Sequence, residues 1–207
     1  GARVGRSFVN SILVCLVTLA VLTVITSMAS YILTRVTKSR LLSVYFSLGI
    51  MIPVHALLIP SVLIFKGLHL IDHLSGLMIV YTAVNISFAM FIMNGFMEGI
   101  PRELDEAATI DGCGRAGIFF HIVFPVAKPG IATVATITFL NCWNDLLLGL
   151  VLISTPARKT LSMTISALKG SYVTQYGLLC AGFVISIVPV VFMYLLFQKQ
   201  VIAGMTA

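Results

Sequence analysis

The chain is predicted to be an all-α integral membrane protein, one domain over residues 1–207 with five spanning helices and one large water-facing loop. Three observations predict it. Hydrophobic residues make up 59% of the chain and charged residues only 10%, with a mean hydropathy of +1.08; water-soluble domains are far more polar. The apolar residues fall into runs at about residues 8–33, 41–65, 74–97, 130–153 and 177–198, each long enough for the roughly 20 residues that cross a bilayer core. Five of the seven acidic residues crowd between Glu98 and Asp111, so the segment 98–128 faces water.

The first run has no Lys, Arg, Asp or Glu between Ser7 and Thr34 and crosses with some tilt. Asn10 and Ser11, near its start, read as cap or interface residues. Arg35, Lys38 and Arg40 follow as a basic turn. The second run holds Pro53, His55 and Pro60, which predicts a kinked or broken helix whose freed carbonyls are met by neighbours. Lys66, His69, Asp72 and His73 form a short interfacial loop. Two histidines and an aspartate are metal-ligand types, but a loop between spans accounts for them better, and no metal is assigned. The third run carries Asn85 and Ser87, then Gly95 and Gly99 at a spacing that serves either close helix contact or a hinge.

The fourth run opens on Thr and Ala residues suited to helix packing. It contains the one acid deep in an apolar stretch, Asp145, within Asn141-Cys142-Trp143-Asn144-Asp145. A carboxylate inside a span costs several kcal/mol unless paired or hydrated. Trp143, Asn144 and Asp145 are therefore candidates for a translocation pathway or a subunit interface. A second reading places Asp145 at the outer surface, since Gly130 to Asp145 covers about 22 Å of helix. A mixed connector with Arg158, Lys159 and Lys169 leads to the fifth run, which contains Pro189 and closes at Lys199.

Several function classes drop out. The net charge of +6 comes from Lys and Arg scattered at run ends, which suits topology anchoring and not nucleic acid. By span parity, seven of these cations lie on the loop's side and six opposite, so charge alone leaves orientation open. Cys15, Cys113, Cys142 and Cys180 show no paired spacing and read as small apolar thiols, with neither a disulfide framework nor a metal site. No GxxxxGK[ST] loop occurs and no Ser/His/Asp set is present, so the chain has no cofactor site of its own and is not an enzyme by itself. The chain starts at Gly1 without a recognisable signal peptide, and a preceding segment is expected.

The stretch from Glu103 to Pro125, ELDEAATIDGCGRAGIFFHIVFP, carries the strongest signal. Pro101 suits a first helical turn, and Glu103, Asp105 and Glu106 complement the positive end of a helix dipole. Leu104, Ala107, Ala108 and Asp111 share one face, where two alanines admit a close neighbour. Gly112 and Gly114 end that helix, and a second short helix, Arg115 to Ile122, stops before Pro125.

These residues resemble the EAA loop of the membrane subunits of binding-protein-dependent ABC importers. The pattern stands here as Glu106-Ala107-Ala108, Gly112 and Ile122-Val123-Phe124-Pro125, with Phe124 in place of the usual Leu. The resemblance implies the five-span core of the type I ABC importer permease fold, with the loop in the cytoplasm of a bacterial or archaeal cell and the chain multi-pass in its inner membrane. It implies that Glu103, Glu106, Ala107, Ala108, Asp111, Gly112, Ile122 and Pro125 couple the chain to ABC ATPase subunits. Glu106 is then the acid that pairs with a basic residue of the ATPase, and ATP and Mg²⁺ are bound by that partner.

The fuller form PRELDEAATIDG, the run FLNCWND and the ending VIAGMTA are similar to the carbohydrate-importer branch, of the maltose-transporter second-subunit type. That implies a second, commonly different permease subunit, an extracytoplasmic sugar-binding protein, a sugar substrate and a lipid surround. Such proteins usually carry one further N-terminal span. Trp143 would then either stack on a sugar ring or belong to an interfacial aromatic belt. Two alternatives stand beside this reading. One is a permease of the same fold for glycerol-3-phosphate, an amino acid or a peptide, disfavoured for a phosphate because no Lys or Arg lies inside a span. The other is an ion-coupled carrier or channel, disfavoured by a single intramembrane acid and no internal repeat.

Overall fold

The computed structural model describes the backbone of residues 2–168 and 176–205, and the side chains of 4–168 and 176–199. Lys169, and Thr206 and Ala207 of the ending, lie outside the described residues. Among those described, all regular structure is helical.

Helix α1 (Ala2–Tyr31) widens into a π turn, Ile32–Val36. Helices α2 (Arg40–Leu48) and α3 (Leu58–Gly67) are separated by two 3₁₀ turns with Ile52 and Pro53 extended between them. Proline removes a donor and bars the helical conformation from the residue before it, so the break falls there. Helix α4 (Leu74–Gly99) is unbroken. Neither Gly95 nor Gly99 has any atom near its Cβ position, so neither mediates a close contact within the described chain.

Helix α5 (Glu103–Ile110) follows. Then α6 (Arg115–Ile118), a π turn (Phe119–Val123) and α7 (Phe124–Val126) run on without interruption. The helix predicted to stop before Pro125 instead passes through it. A wider π turn just ahead of the proline moves the carbonyl its ring would strike, so the helix absorbs it. Ala127 separates α7 from α8 (Lys128–Asn144). The fourth run, predicted as one helix over 130–153, is interrupted after Asn144 and resumes as α9 (Leu147–Leu152), with Leu146 at φ −121°. Helix α10 (Leu161–Ser166) and the long α11 (Tyr176–Met205), with Pro189 inside it, complete the chain.

By length and hydropathy, Val4–Val36, Leu74–Gly99 and Tyr176–Lys199 can each cross a membrane. Two interrupted pairs, Arg40–Met51 with Val54–Gly67 and Arg115–Val126 with Lys128–Asn144, qualify together, which makes five crossings if each pair is one.

The contacts gather the chain into two compact units. One comprises Gly1–Leu19, Pro53–Val84 and Thr138–Leu196. Polar bonds tie its segments together. Asn10, inside α1 and not at a cap, donates to the carbonyls of Ala157 and Lys159 at 3.1 and 3.0 Å. Ser11 accepts the N–H of Leu161 at 2.8 Å.

The other unit comprises Ala20–Ile52, Asn85–Ile137 and Phe197–Ala207. Its core joins Leu22 and Tyr31 of α1, Ala89, Met93 and Met97 of α4, and Ile118, Phe119 and Val123 from the stretch after the loop. Gly130 lets α8 approach α4, since a Cβ there would lie 2.6 Å from the Phe96 ring.

Candidate functional site

The surface helix α5 is built by its own sequence. Three acids occupy its first turn, against the positive end of the dipole. The N–H groups of Asp105 and Glu106 bond to the Arg102 carbonyl at 2.9 and 3.1 Å. At its end Gly112 takes φ +82°, and the Cys113 N–H returns to the Ala108 carbonyl at 2.9 Å. Gly114 is extended and opens α6, so only Gly112 uses the left-handed freedom of glycine.

The two alanines part company. Ala108 is 4% exposed and belongs to the core with Tyr31, Met97, Ile100 and Phe119. Ala107 faces out beside Glu103 and Glu106. The free face is therefore Glu103, Glu106, Ala107 and Ile110, at i, i+3, i+4 and i+7, in place of the predicted face on Leu104, Ala107, Ala108 and Asp111. Ile110 is 86% exposed at its end. Asp111 is also exposed, while Ile122 and Pro125 are half-buried.

A clamp holds the inner face. Arg35, in the π turn that ends the first span, donates through Nη1 to Asp105 Oδ2 at 2.6 Å. Its Nε and Nη2 donate to the Met97 carbonyl at 3.1 and 2.8 Å, and Nη2 also reaches the Ile100 carbonyl. The guanidinium is nearly enclosed: the Arg35 side chain is 4% exposed and that of Asp105 23%. Planar, five-donor geometry lets one arginine serve a carboxylate and two carbonyls at once. Nearby, Tyr31 Oη donates to the Arg115 carbonyl at 3.2 Å and its ring lies 5.3 Å from that of Phe119. From sequence alone Arg35 reads as part of a basic turn and Asp105 as a complement to the helix dipole. The one available signal was Asp105 standing three residues before the inward Ala108.

In the other unit, Asp145 is not a stray charge. Its Oδ2 accepts Tyr81 Oη at 2.7 Å and the N–H of Gly149 at 3.0 Å. The second bond satisfies the third N–H of α9, and this competition for backbone donors is why the span breaks here. Trp143 is a packing residue. It is 3% exposed, stacked 5.4 Å from Phe139 and edge-on to Phe8 at 5.8 Å, and its Nε1 donates to the Ser186 carbonyl at 3.1 Å. An enclosed indole offers a face neither to a sugar nor to lipid headgroups, which corrects both readings of it. Asn144 is exposed.

Asp72 closes the loop before α4. Its carboxylate accepts the N–H groups of Ser154 and Thr155 at 3.0 and 2.9 Å, the Thr155 hydroxyl at 2.5 Å and Arg158 at 3.0 Å. Those bonds, the Thr155 hydroxyl foremost, hold its pKa at about 2.

A family model described as the binding-protein-dependent transport system inner membrane component matches residues 21–206. The sulfoquinovosyl glycerol transport system permease protein of Agrobacterium fabrum is 33% identical over 201 residues, 96% of this chain and 70% of that one. The probable starch degradation products transport system permease protein of Thermoanaerobacterium thermosulfurigenes is 32% identical over 207 residues, 99% and 75% of the two chains. Among solved structures, a chain of a bacterial ABC transporter involved in the import of the acidic polysaccharide alginate superposes with a TM-score of 0.83 over 96% of this chain and 75% of that one, at 23% identity. That likeness bears on the fold, an all-α ABC transporter permease fold. Long apolar helices, an acidic surface helix ending on a left-handed glycine and a match through nearly the whole sequence converge: this chain belongs to the family of binding-protein-dependent transport system inner membrane components.

Proposed function

We propose that the chain is the transmembrane permease subunit of an ATP-driven carbohydrate importer in the inner membrane of a bacterium or archaeon. Its five spans form one permease domain that lines the path with a second permease subunit, and α5 is the cytoplasmic helix that seats on an ATPase subunit. ATP and Mg²⁺ belong to that ATPase, and an extracytoplasmic binding protein delivers the sugar.

The observation that carries this reading is the outward row Glu103, Glu106, Ala107 and Ile110 on a helix whose other side is fixed to its own core. A short helix with an exposed isoleucine between acids is poorly suited to water and well suited to an apolar cleft rimmed by cations. Ala107 keeps the approach close, Glu106 supplies the ion pair, and Gly112 sets the angle at which the helix leaves the membrane domain. The carbohydrate class is supported by the names of the relatives, which specify sulfoquinovosyl glycerol and starch degradation products. It is also supported by the position of Lys and Arg at span ends, which leaves no interior cation for a phosphate.

The test is Glu106→Lys. Uptake should vanish while the protein stays at normal level in the membrane, and the ATPase subunits should no longer copurify with it. Normal uptake by this variant would refute the docking role.

A further inference from the structure

We propose that this chain holds its own solute station, a cavity of about 400 Å³ set between the restart of the broken second span and the interruption of the fourth, which takes one ring of a neutral, hydroxyl-rich solute. The inference rests on the transport reading above and goes beyond the pathway candidates Asn144 and Asp145 by placing them in one cavity and naming the solute chemistry it takes.

The cavity lies in a single compact unit. Its polar wall is His55, one residue into the 3₁₀ turn after Pro53, with Asn141, Asn144 and Asp145 at the end of α8. Its apolar wall includes Leu58 and Leu140. The volume falls in the roughly 300–1,000 Å³ range of small-molecule pockets. Interrupted spans whose polar groups converge on one hollow are how membrane proteins make solute sites, because irregular backbone survives at depth only where it is buried or lines a wet cavity.

The donor set selects the solute. The His55 ring and the Asn144 amide take no hydrogen-bond partner among the described residues, and each both donates and accepts. Asp145 spends Oδ2 on Tyr81 and Gly149, which leaves Oδ1 as an acceptor held in place by the bonds of its neighbour. Hydroxyls, which donate and accept at once, fit all three. No Lys or Arg lines the cavity, and a fixed carboxylate on its wall repels anions, so a phosphorylated or sulfonated solute is disfavoured. Leucine side chains opposite offer a surface for the C–H face of a ring. Trp143, one residue from Asn144, is spent on packing and does not line the cavity.

The experiment uses the full chain in its assembled transporter, with Cys113 and Cys180 replaced by Ser and Asn144→Cys introduced. A membrane-impermeant, water-soluble maleimide is the probe. Labelling should occur, and should slow about tenfold when maltotriose or another neutral sugar that the cells accumulate is present, but not with glucose 6-phosphate. Asn144→Leu should lower uptake of that sugar about tenfold at unchanged membrane level, the loss of one solute hydrogen bond. A site closed to the reagent would mean that lipid or the second permease fills the cavity, and would overturn the station. Labelling indifferent to a sugar that the transporter does accumulate would overturn it too and leave the importer reading intact. Failure of the unaltered transporter to accumulate any of a panel of neutral sugars would instead remove the importer reading, and the station with it.

Discussion

Arg35→Met breaks the clamp on α5 and leaves the apolar stem of the side chain in place. The cost can be worked from the geometry. Losing one member of a buried ion pair typically costs about 3–5 kcal/mol, because the other charge stays enclosed. Here the Asp105 side chain keeps 23% of its surface, so water recovers part of that, and about 2–3 kcal/mol is a fair figure. Asp105 Oδ1 already has no partner, which limits how far the carboxylate can rearrange. The carbonyls of Met97 and Ile100 lose their donors as well, at about 1 kcal/mol together after rehydration. The sum, about 3–4 kcal/mol, shifts the equilibrium between attached and detached α5 by about 10²–10³-fold.

Hydrogen exchange of the Glu103–Ile110 peptide, measured on the transporter in the membrane, reads that equilibrium. Exchange should accelerate by the same factor and uptake should fall steeply, while the core amides of α4 keep their protection. Arg35→Met combined with Asp105→Leu removes the stranded charge and should recover most of the exchange protection, since an apolar pair of similar volume is close to neutral. If the single variant leaves both exchange and uptake at the level of the unaltered protein, the clamp is incidental and the reasoning fails.

Three other perturbations follow from the same contacts. Gly112→Val meets no atom near its Cβ, so its cost is conformational. A β-branched residue at φ +82° should lose about 1–3 kcal/mol and depress uptake, whereas Gly112→Asn should be much milder. Trp143→Ala removes a ring enclosed by Phe8 and Phe139 and should cost about 3–5 kcal/mol, seen as protein lost from the membrane; a well-folded variant with altered sugar preference would contradict the packing role. For Asp72, the depressed pKa means that its bonds stabilise the fold fully above the ordinary value of 3.8 and lose that contribution as pH falls towards about 2. Melting of the detergent-solubilised protein should show a drop across that window that Asp72→Asn lacks, and identical acid profiles would count against the network.

The loop was legible because its signals are local. Acids in a first turn and a glycine four residues past the second alanine are features of neighbouring positions, and Gly112 duly sits at positive φ. The broken second span was legible for the same reason, since Pro53 acts on its own peptide and its predecessor. What escaped depends on partners far along the chain. Nothing near Arg35 tells that its guanidinium meets Asp105 seventy positions later, or that Ala108 and not Ala107 turns inward. Trp143 stood in an apolar run beside polar residues, where enclosure and exposure look alike; Phe8 and Ser186 decide the matter. The break at Asp145 lay between these cases. A capping residue inside an apolar run signals a helix start, but only the bond to Gly149 distinguishes a cap from a lone intramembrane charge.

On the proposed reading, in which α5 seats on an ATPase subunit, its two faces set what kind of joint it would make. A lever must stay attached to what it moves when the partner pulls on it. Coupling free energies between sites are typically about 1–3 kcal/mol, and breaking the clamp from one side costs about 3–4 kcal/mol, before the burial of Ala108 is added. On that reading the attachment would outlast the pull, and strain placed on Glu106 would pass to α1 and α4 in place of being lost as a flexing loop. Arg35→Lys tests that ordering. A lysine keeps the charge on Asp105 but cannot fork to the Met97 and Ile100 carbonyls, which should bring the clamp down to about the coupling energy. Such a transporter should still bind its ATPase subunits, hydrolyse ATP and import less sugar per ATP. Unchanged stoichiometry would mean that the arginine fork bears no part of the stroke.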